Sequence, residues 1–166
     1  MEFFSEDTVG AFYDLLEPCK QVEQHPVWHP EGDVYIHSFQ VLHHALRETN
    51  DTDLILAAWL HDVGKQIHPL GHDKESVVLL EGLVSVKTEW LVGQHMRVSD
   101  LILGRMKRRQ KVLALLNHPW LPELIALHRW DTMGRNANTI HYVPCGVLRE
   151  KLNFKADLHF KKERKA

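Results

Sequence analysis

The sequence is poor in the features that would assign it quickly. It holds only two cysteines, Cys19 and Cys145, far apart and outside any CxxC pattern. Neither a disulfide framework nor a cysteine-rich zinc site is indicated, and a reducing cytoplasm is the expected surrounding. No apolar run approaches the ~20 residues that a membrane-spanning helix needs. The opening MEFFSEDTVG has neither the basic n-region nor the apolar h-region of a signal peptide, so the expectation is a cytoplasmic protein with no membrane partner. Charge of one sign is not in excess: lysine and arginine total 20 against 22 acidic residues, a formal net charge of −2. Bulk charge therefore argues against a general nucleic-acid or membrane-surface binder, and any such argument must rest on local clusters. Alternating apolar and polar runs are lacking, as are internal repeats, which disfavours sheet and solenoid architectures and leaves an all-α chain. At 166 residues the chain has the size of one domain that buries a core without staples, so residues 1–166 are expected to form a single domain.

What is present is helical periodicity. Val9, Phe12, Tyr13 and Leu16 predict an amphipathic helix over residues 6–17, ending before Pro18. Pro26 and Pro30 break QHPVWHPEG, after which Asp33 is placed to cap a helix whose stripe is Tyr35, Phe39, Leu42 and Leu46. Asp51 or Asp53 can cap DLILAAWLHDV, whose nearly unbroken apolar stretch implies a helix buried on most sides, stopped by Gly64. After the loop KQIHPLG, Val77, Val78, Leu80, Glu81 and Val84 predict a fourth helix, and TEWLVGQHM a short fifth. A basic run, RMKRRQK, leads into VLALLNH, and Pro119 separates that helix from LPELIALHRWDTMG, where Leu121, Leu124, Leu127, His128 and Asp131 share a face. From Pro144 onward CGVLREKLNFKADLHF reads as a last helix, and residues 161–166, KKERKA, as a basic, frayed tail.

The abundant residue is histidine, with 13 copies, and imidazole is both the commonest metal ligand and an acid or base near neutral pH. The informative stretch is WLHDVGK, where His61 and Asp62 follow directly on the most apolar helix. Taken alone, this dipeptide reads as a satisfied core histidine and an aspartate bonded to its own helix end. Its company changes the balance. His37 lies on a neighbouring helix, and Asp131 occupies the apolar stripe of a late one, where a lone carboxylate would need a partner. A shared cation would offset the burial cost of all four groups.

These residues form the series H…HD…D, and on it the chain resembles the HD-domain superfamily of metal-dependent phosphohydrolases. EGDVYIHSFQVLHHA, LAAWLHDVGK, GHDKES, LVGQHM and LIALHRWDTMGR are similar to successive blocks of the HD domain attached to bacterial CCA-adding tRNA nucleotidyltransferases, over about residues 28–136. The resemblance implies a compact helical bundle in which His37, His61, Asp62 and Asp131 converge on a divalent ion. It also implies that His72 and His95 hold a second ion or the substrate phosphate. Asp73 and Ser76 stand where the family has glutamate and glycine, which leaves His72 open between that role and a surface histidine. Lys65, and likewise Arg135, would offer a cation to the phosphate, the bland alternative for Lys65 being an ordinary exposed lysine. His128 is open between supporting Asp131 and a purely structural role. No nucleotidyltransferase head is expected. The implied activity is that of the HD module alone, hydrolysis of phosphomonoesters or cyclic phosphodiesters of nucleotides, with Asp62 and Lys65 as catalytic residues.

A mixed imidazole and carboxylate site leaves positions open for water and a phosphoryl oxygen, and it suits one or two ions of manganese, iron, cobalt, nickel or zinc better than magnesium. Two other readings stand beside hydrolysis: a di-iron oxygenase on the same fold, and a non-catalytic nucleotide-binding regulatory module, against which the intact ligand positions and Lys65 count. The basic run Arg105, Lys107, Arg108, Arg109 and Lys111 fits either a nucleic-acid end or a solvated helix start. Trp28, Tyr35 and Trp130 could stack on a base or simply fill core. The oligomeric state is not legible in the sequence.

Overall fold

Side-chain caps set where four of the described helices begin. In a computed structural model that describes residues 2–137 and 141–166, the Ser5 hydroxyl accepts from Thr8 N at 3.1 Å at the head of α1 (Glu6–Leu16). Asp33 Oδ1 accepts from Ile36 N at 2.8 Å to start α2 (Val34–Glu48). Asp51 caps α3 (Thr52–Leu60), accepting from Asp53 N at 3.1 Å and Leu54 N at 3.3 Å. Asp53 lies inside that first turn, and its carboxylate accepts from Ser85 Oγ at 2.7 Å instead. Ser85 in turn caps α5 (Val86–Gln94). Each such cap contributes ~1 kcal/mol. The remaining helices are α4 (His72–Leu80), α6 (Arg97–Ile102), α7 (Arg109–Leu116), α8 (Leu121–Met133) and α9 (Cys145–Glu163). Among the described residues the only β pairing is an isolated bridge between Glu23 and Asp33, so the fold is all-α, as the periodicity predicts. No helix among them is long and apolar enough to cross a membrane.

The core is organised around α3. Residues 54–60 are all buried, and the helix packs against α2, α5, α8 and α9. Trp59 is enclosed by Phe12, Tyr13 and Phe39, with ring centroids at 6.1, 4.9 and 5.8 Å. Tilted and edge-on aromatic pairs of this kind are worth ~0.5–1.5 kcal/mol each beyond their buried area. Because α3 is sheathed by other helices, its C-terminal residues emerge inside the bundle rather than at its surface. A close approach of α8 to α2 completes the frame. A Cβ on Gly134, just past the end of α8, would meet Val41 Cγ2 at 2.6 Å. The absence of a side chain there lets Asp131, one turn earlier, reach α2.

Several boundaries differ from the sequence expectations, each for a physical reason. The first α-helix ends before Pro18, as expected, but the chain does not leave the helical path there. The α-helix closes at Leu16 and a 3₁₀ turn, Glu17–Gln21, accepts the proline near its start, where a missing N–H is tolerated. The fourth helix begins at His72 and ends at Leu80, earlier than its apolar residues suggest, because Gly71 and Gly82 both adopt φ 75° and turn the chain. The loop KQIHPLG is partly a 3₁₀ turn, Val63–Gln66. Helix α6 was not expected at all, whereas residues 105–108 of the basic run lie outside any helix. The last helix continues to Glu163, three residues into the expected tail, with an ion pair between Lys161 and Asp157 on its surface.

Gly64 is the most informative correction. It is not a left-handed helix stop, since the positive-φ glycines are Gly32, Gly71, Gly82 and Gly104. Glycine is needed here for space. A Cβ would lie 2.2 Å from the His72 carbonyl oxygen and 2.4 Å from Ser76 N. Ser76, half a helix further along α4, donates from its hydroxyl to the His61 carbonyl at 2.9 Å and accepts from Gly64 N at 2.8 Å. This staple holds the turn after α3 against the start of α4. Gly64→Ala is expected to destabilise the protein by ~1–3 kcal/mol, as overpacking against backbone does. Gly10→Ala, in α1 with open space around it, should instead stabilise by ~0.5–1 kcal/mol. Urea denaturation of the two variants checks this contrast, and equal midpoints would contradict it.

Candidate metal centre

Five helices and one turn deliver the site. His37 sits in the first turn of α2, His61 ends α3, His72 opens α4, His95 ends α5 and Asp131 projects from α8. Asp62, at φ −100° and ψ 5°, has left the helical path of α3, and its side chain is 3 % exposed at the centre of the group. Its two oxygens face different partners. Oδ2 lies 2.6 Å from Lys65 Nζ, 3.5 Å from His61 Nε2 and 3.8 Å from His37 Nε2. Oδ1 lies 3.0 Å from His72 Nε2 and 3.5 Å from His95 Nε2. Asp131 Oδ1 lies 2.9 Å from His37 Nε2 and 3.6 Å from His61 Nε2, while Arg135 approaches its Oδ2 at 3.6 Å.

The orientation of the rings shows what the group is suited to hold. His61, His72 and His95 each turn Nδ1 onto a backbone carbonyl, of Ala58, Pro69 and Val92, at 3.0, 2.8 and 2.6 Å. A carbonyl only accepts, so Nδ1 carries the hydrogen, and Nε2, which bears the lone pair of an imidazole in its neutral form, is the atom turned inward. His72 Nε2 and His95 Nε2 stand 3.1 Å apart, and buried His61 Nε2 has no hydrogen-bond partner among the described residues. Lone pairs brought together and left unsatisfied in a buried place suit a cation. Among the described residues three sets of atoms are close enough to share one: His37, His61 and Asp131; His61, Asp62 and His95; and, at the edge of the group, His29, Glu31 and His37. The donors are imidazole and carboxylate, a set that favours a divalent transition metal.

His37 is oriented differently from the other three. Its Nδ1 lies 2.6 Å from Glu31 Oε1, as an ion-pair contact, and Glu31 also meets His29 Nδ1 at 3.0 Å. The loop carrying both residues is tied down by Val34 N to the Val22 carbonyl and Gln24 N to the Gly32 carbonyl, each at 3.1 Å. Burial would push the Glu31 carboxyl up, but the contacts with His29 and His37 hold it down at about 2. Burial pulls His37 down, and its contacts with Asp131 and Glu31 outweigh that, raising it to about 9. Asp62 and Asp131 are held well below the carboxylate range. For Asp62, burial acts upward while the charges of His61 and Lys65 prevail; for Asp131, burial is overcome by its contacts with His37 and His61.

All eight residues singled out in the sequence lie in or beside this cluster. Lys65 is not an ordinary exposed lysine, because it bonds Asp62 and the Gln24 side chain, the latter at 2.8 Å. His72 is buried rather than on the surface. Trp130 is 2 % exposed and belongs to the core, which removes it as a base platform. Tyr35 is half-buried against Phe39, whereas Trp28 is exposed in the same loop as His29 and Glu31. The sequence reading missed Glu31, His29 and Gln24. Glu31 stands behind His37, six positions later, and its only signal was its place in the EGD block; Asp131, for which His128 was the optional support, is approached by Arg135.

The HD-domain family model matches residues 34–135, more than half of the chain. The chain belongs to the HD-domain family. HD domains bind divalent metals, and the superfamily is one of metal-dependent phosphohydrolases. Among curated relatives, "Multifunctional CCA protein" of Thioalkalivibrio sulfidiphilus is 38% identical over 98 residues, and the protein of that name from Pseudoalteromonas atlantica is 30% identical over 98 residues. Each alignment covers 47% of this chain and 24% of the relative, so the match spans about a quarter of those proteins' length.

Glu31→Gln keeps the shape of the contact and removes its charge. Loss of such a carboxylate behind a ligating imidazole lowers metal affinity by roughly 10–100-fold, which calorimetric titration with manganese would read. The same variant tests the electrostatics without a cation. Since His37 is raised to about 9 in the folded chain, its stabilisation is complete below its unfolded value near 6.5 and is lost as pH rises through about 9. The chelated protein should therefore lose thermal stability between these limits, and Glu31→Gln should flatten that decline. An unchanged manganese affinity together with an unchanged pH profile would contradict the role assigned to Glu31.

Proposed function

We propose that this HD domain is a phosphohydrolase that cleaves phosphomonoester or cyclic phosphodiester bonds of a nucleotide or an RNA-end-like substrate, with residues 1–166 acting as one domain. The observation that carries the reading is Asp62, whose two oxygens face two separate groups of imidazoles. His37, His61, Asp62 and Asp131 would hold one cation, and Asp62 would share a second with His72 and His95. When bound, the metal supplies Lewis-acid charge to the phosphoryl group and to the attacking water. The chain's own residues do the rest. Asp62 orients the water for in-line attack. Lys65, released from Asp62, and Arg135, beside Asp131, offer positive charge to the phosphoryl oxygens as the bond to the leaving oxygen breaks. Those two cations beside the ligands support an anionic substrate over the neutral organic substrate of a di-iron oxygenase. Similarity to proteins named for CCA supports a nucleotide or RNA end as the substrate class.

Screening metal-loaded protein against nucleoside mono-, di- and triphosphates and 2′,3′-cyclic nucleotides tests the reading. Phosphate release or ring opening is expected, abolished by chelation and restored better by manganese, cobalt or nickel than by calcium. Asp62→Ala should remove activity while the helical spectrum persists. Lys65→Ala should lower kcat on the order of 100-fold. Full turnover in verified metal-free protein, or in Asp62→Ala, would overturn the mechanism, and oxygen consumption by iron-loaded protein without phosphate release would assign the site to oxidation.

A further inference from the structure

Away from the metal centre, exposed cations gather along one trough. Three adjoining cavities, of about 310, 340 and 280 Å³, follow α6 and the segment leading into α7, and Arg97 lines all three. The first begins at His72, whose Nε2 is 3.0 Å from Asp62 Oδ1. The second is walled by Arg105, Lys107, Arg108 and Lys111. The third opens between Lys111, Trp90 and His118. Trp90 stacks on His118 at 3.8 Å and 12°, with Trp120 edge-on at 5.8 Å.

The charge along this path is not balanced within the protein. Arg97 pairs with Asp100 at 3.3 Å, and Asp73 is the other carboxylate beside the cavities. Among the described residues, Arg105, Lys107, Arg108 and Lys111 pair with no carboxylate, and all four are exposed. Like charges gathered in one segment repel one another, which gives the fold nothing and an extended polyanion a site. The structure also divides the basic run, since Arg109 does not line the trough. Cations followed by an aromatic shelf match the alternation of phosphate and base in a single strand, whose bases are free to stack as those of a duplex are not.

We propose that this trough is a track for single-stranded nucleic acid, with phosphates at Arg105, Arg108 and Lys111, a base on the Trp90 shelf, and the strand's end passing His72 to the metal centre. Only the last clause rests on the phosphohydrolase reading. Binding of a fluorescent single-stranded RNA oligonucleotide, followed by anisotropy across a salt series, tests the track directly. Arg105→Ala/Arg108→Ala/Lys111→Ala should weaken binding at low salt at least tenfold and reduce the slope of log K against log salt by about 2, given ~0.7 per phosphate contact on single strands. Lys161→Ala/Lys162→Ala/Lys165→Ala, which removes the same charge from the tail, should change neither. Mononucleotide turnover should be the same in both variants. Trp90→Ala, and Trp90→Leu should the smaller side chain unfold the protein, should weaken the oligonucleotide about tenfold while leaving inorganic polyphosphate unaffected. Equal strand affinity in wild type and the trough variant, or equal loss in the tail variant, would overturn the proposal. Duplex or polyphosphate binding as tight as that of the single strand would overturn the assignment of the ligand. Failure of the hydrolase reading would show differently, as strand binding without mononucleotide turnover.

Discussion

A carboxylate buried at the centre of a helical bundle is the constraint on which the rest of the structure depends. Asp62 is 2 % exposed, and an ionised carboxylate cannot be taken out of water unless charge and hydrogen bonds are brought to it. The bundle does this from every direction. Helix α3 is apolar and buried from Leu54 to Leu60, so its end arrives inside the core. The turn that follows is held there by Ser76 and by the absence of a side chain at Gly64. Imidazoles from α2, α3, α4 and α5 then converge on the carboxylate, with Lys65 closing one side. Removing any one of these elements would leave the others with an uncompensated charge.

The second level of the design lies behind the histidines. Three rings are set by backbone carbonyls of their own helices or turns, which fixes the tautomer without any further side chain. His37 lies near the start of α2, and its Nδ1 meets Glu31, carried by the preceding loop, which a short backbone pairing anchors. The site therefore combines three rigidly oriented imidazoles with one whose basicity depends on a carboxylate in a loop. Family membership establishes the metal-dependent hydrolase superfamily.

Much of this was legible in the sequence, for reasons that can be named. Asp33 and Asp51 read as caps because short polar side chains precede apolar periodic runs, and both cap helices. His37, His61, Asp62 and Asp131 stood out because polar groups in apolar stripes need partners, and the fold brings them together. What was not legible depends on contacts between distant segments. Gly64 looked like a helix stop because glycine often is one; its actual constraint is the approach of His72 and Ser76 from another helix. Glu31 lies in a proline-broken stretch without periodicity, so nothing local shows that it folds back on His37. Helix α6 is short, and its apolar residues are too few to make a pattern. The basic run showed its charge but not its shape, since only the packing of α5, α6 and α7 separates Arg108 from Arg109.

On the proposed function Asp62 is shared by two cation positions, and anomalous scattering from crystals grown with manganese tests this most directly. The account predicts two anomalous peaks within bonding distance of Asp62, one beside His37, His61 and Asp131 and the other beside His72 and His95. Manganese that binds elsewhere, with no peak at either oxygen of Asp62, would contradict it.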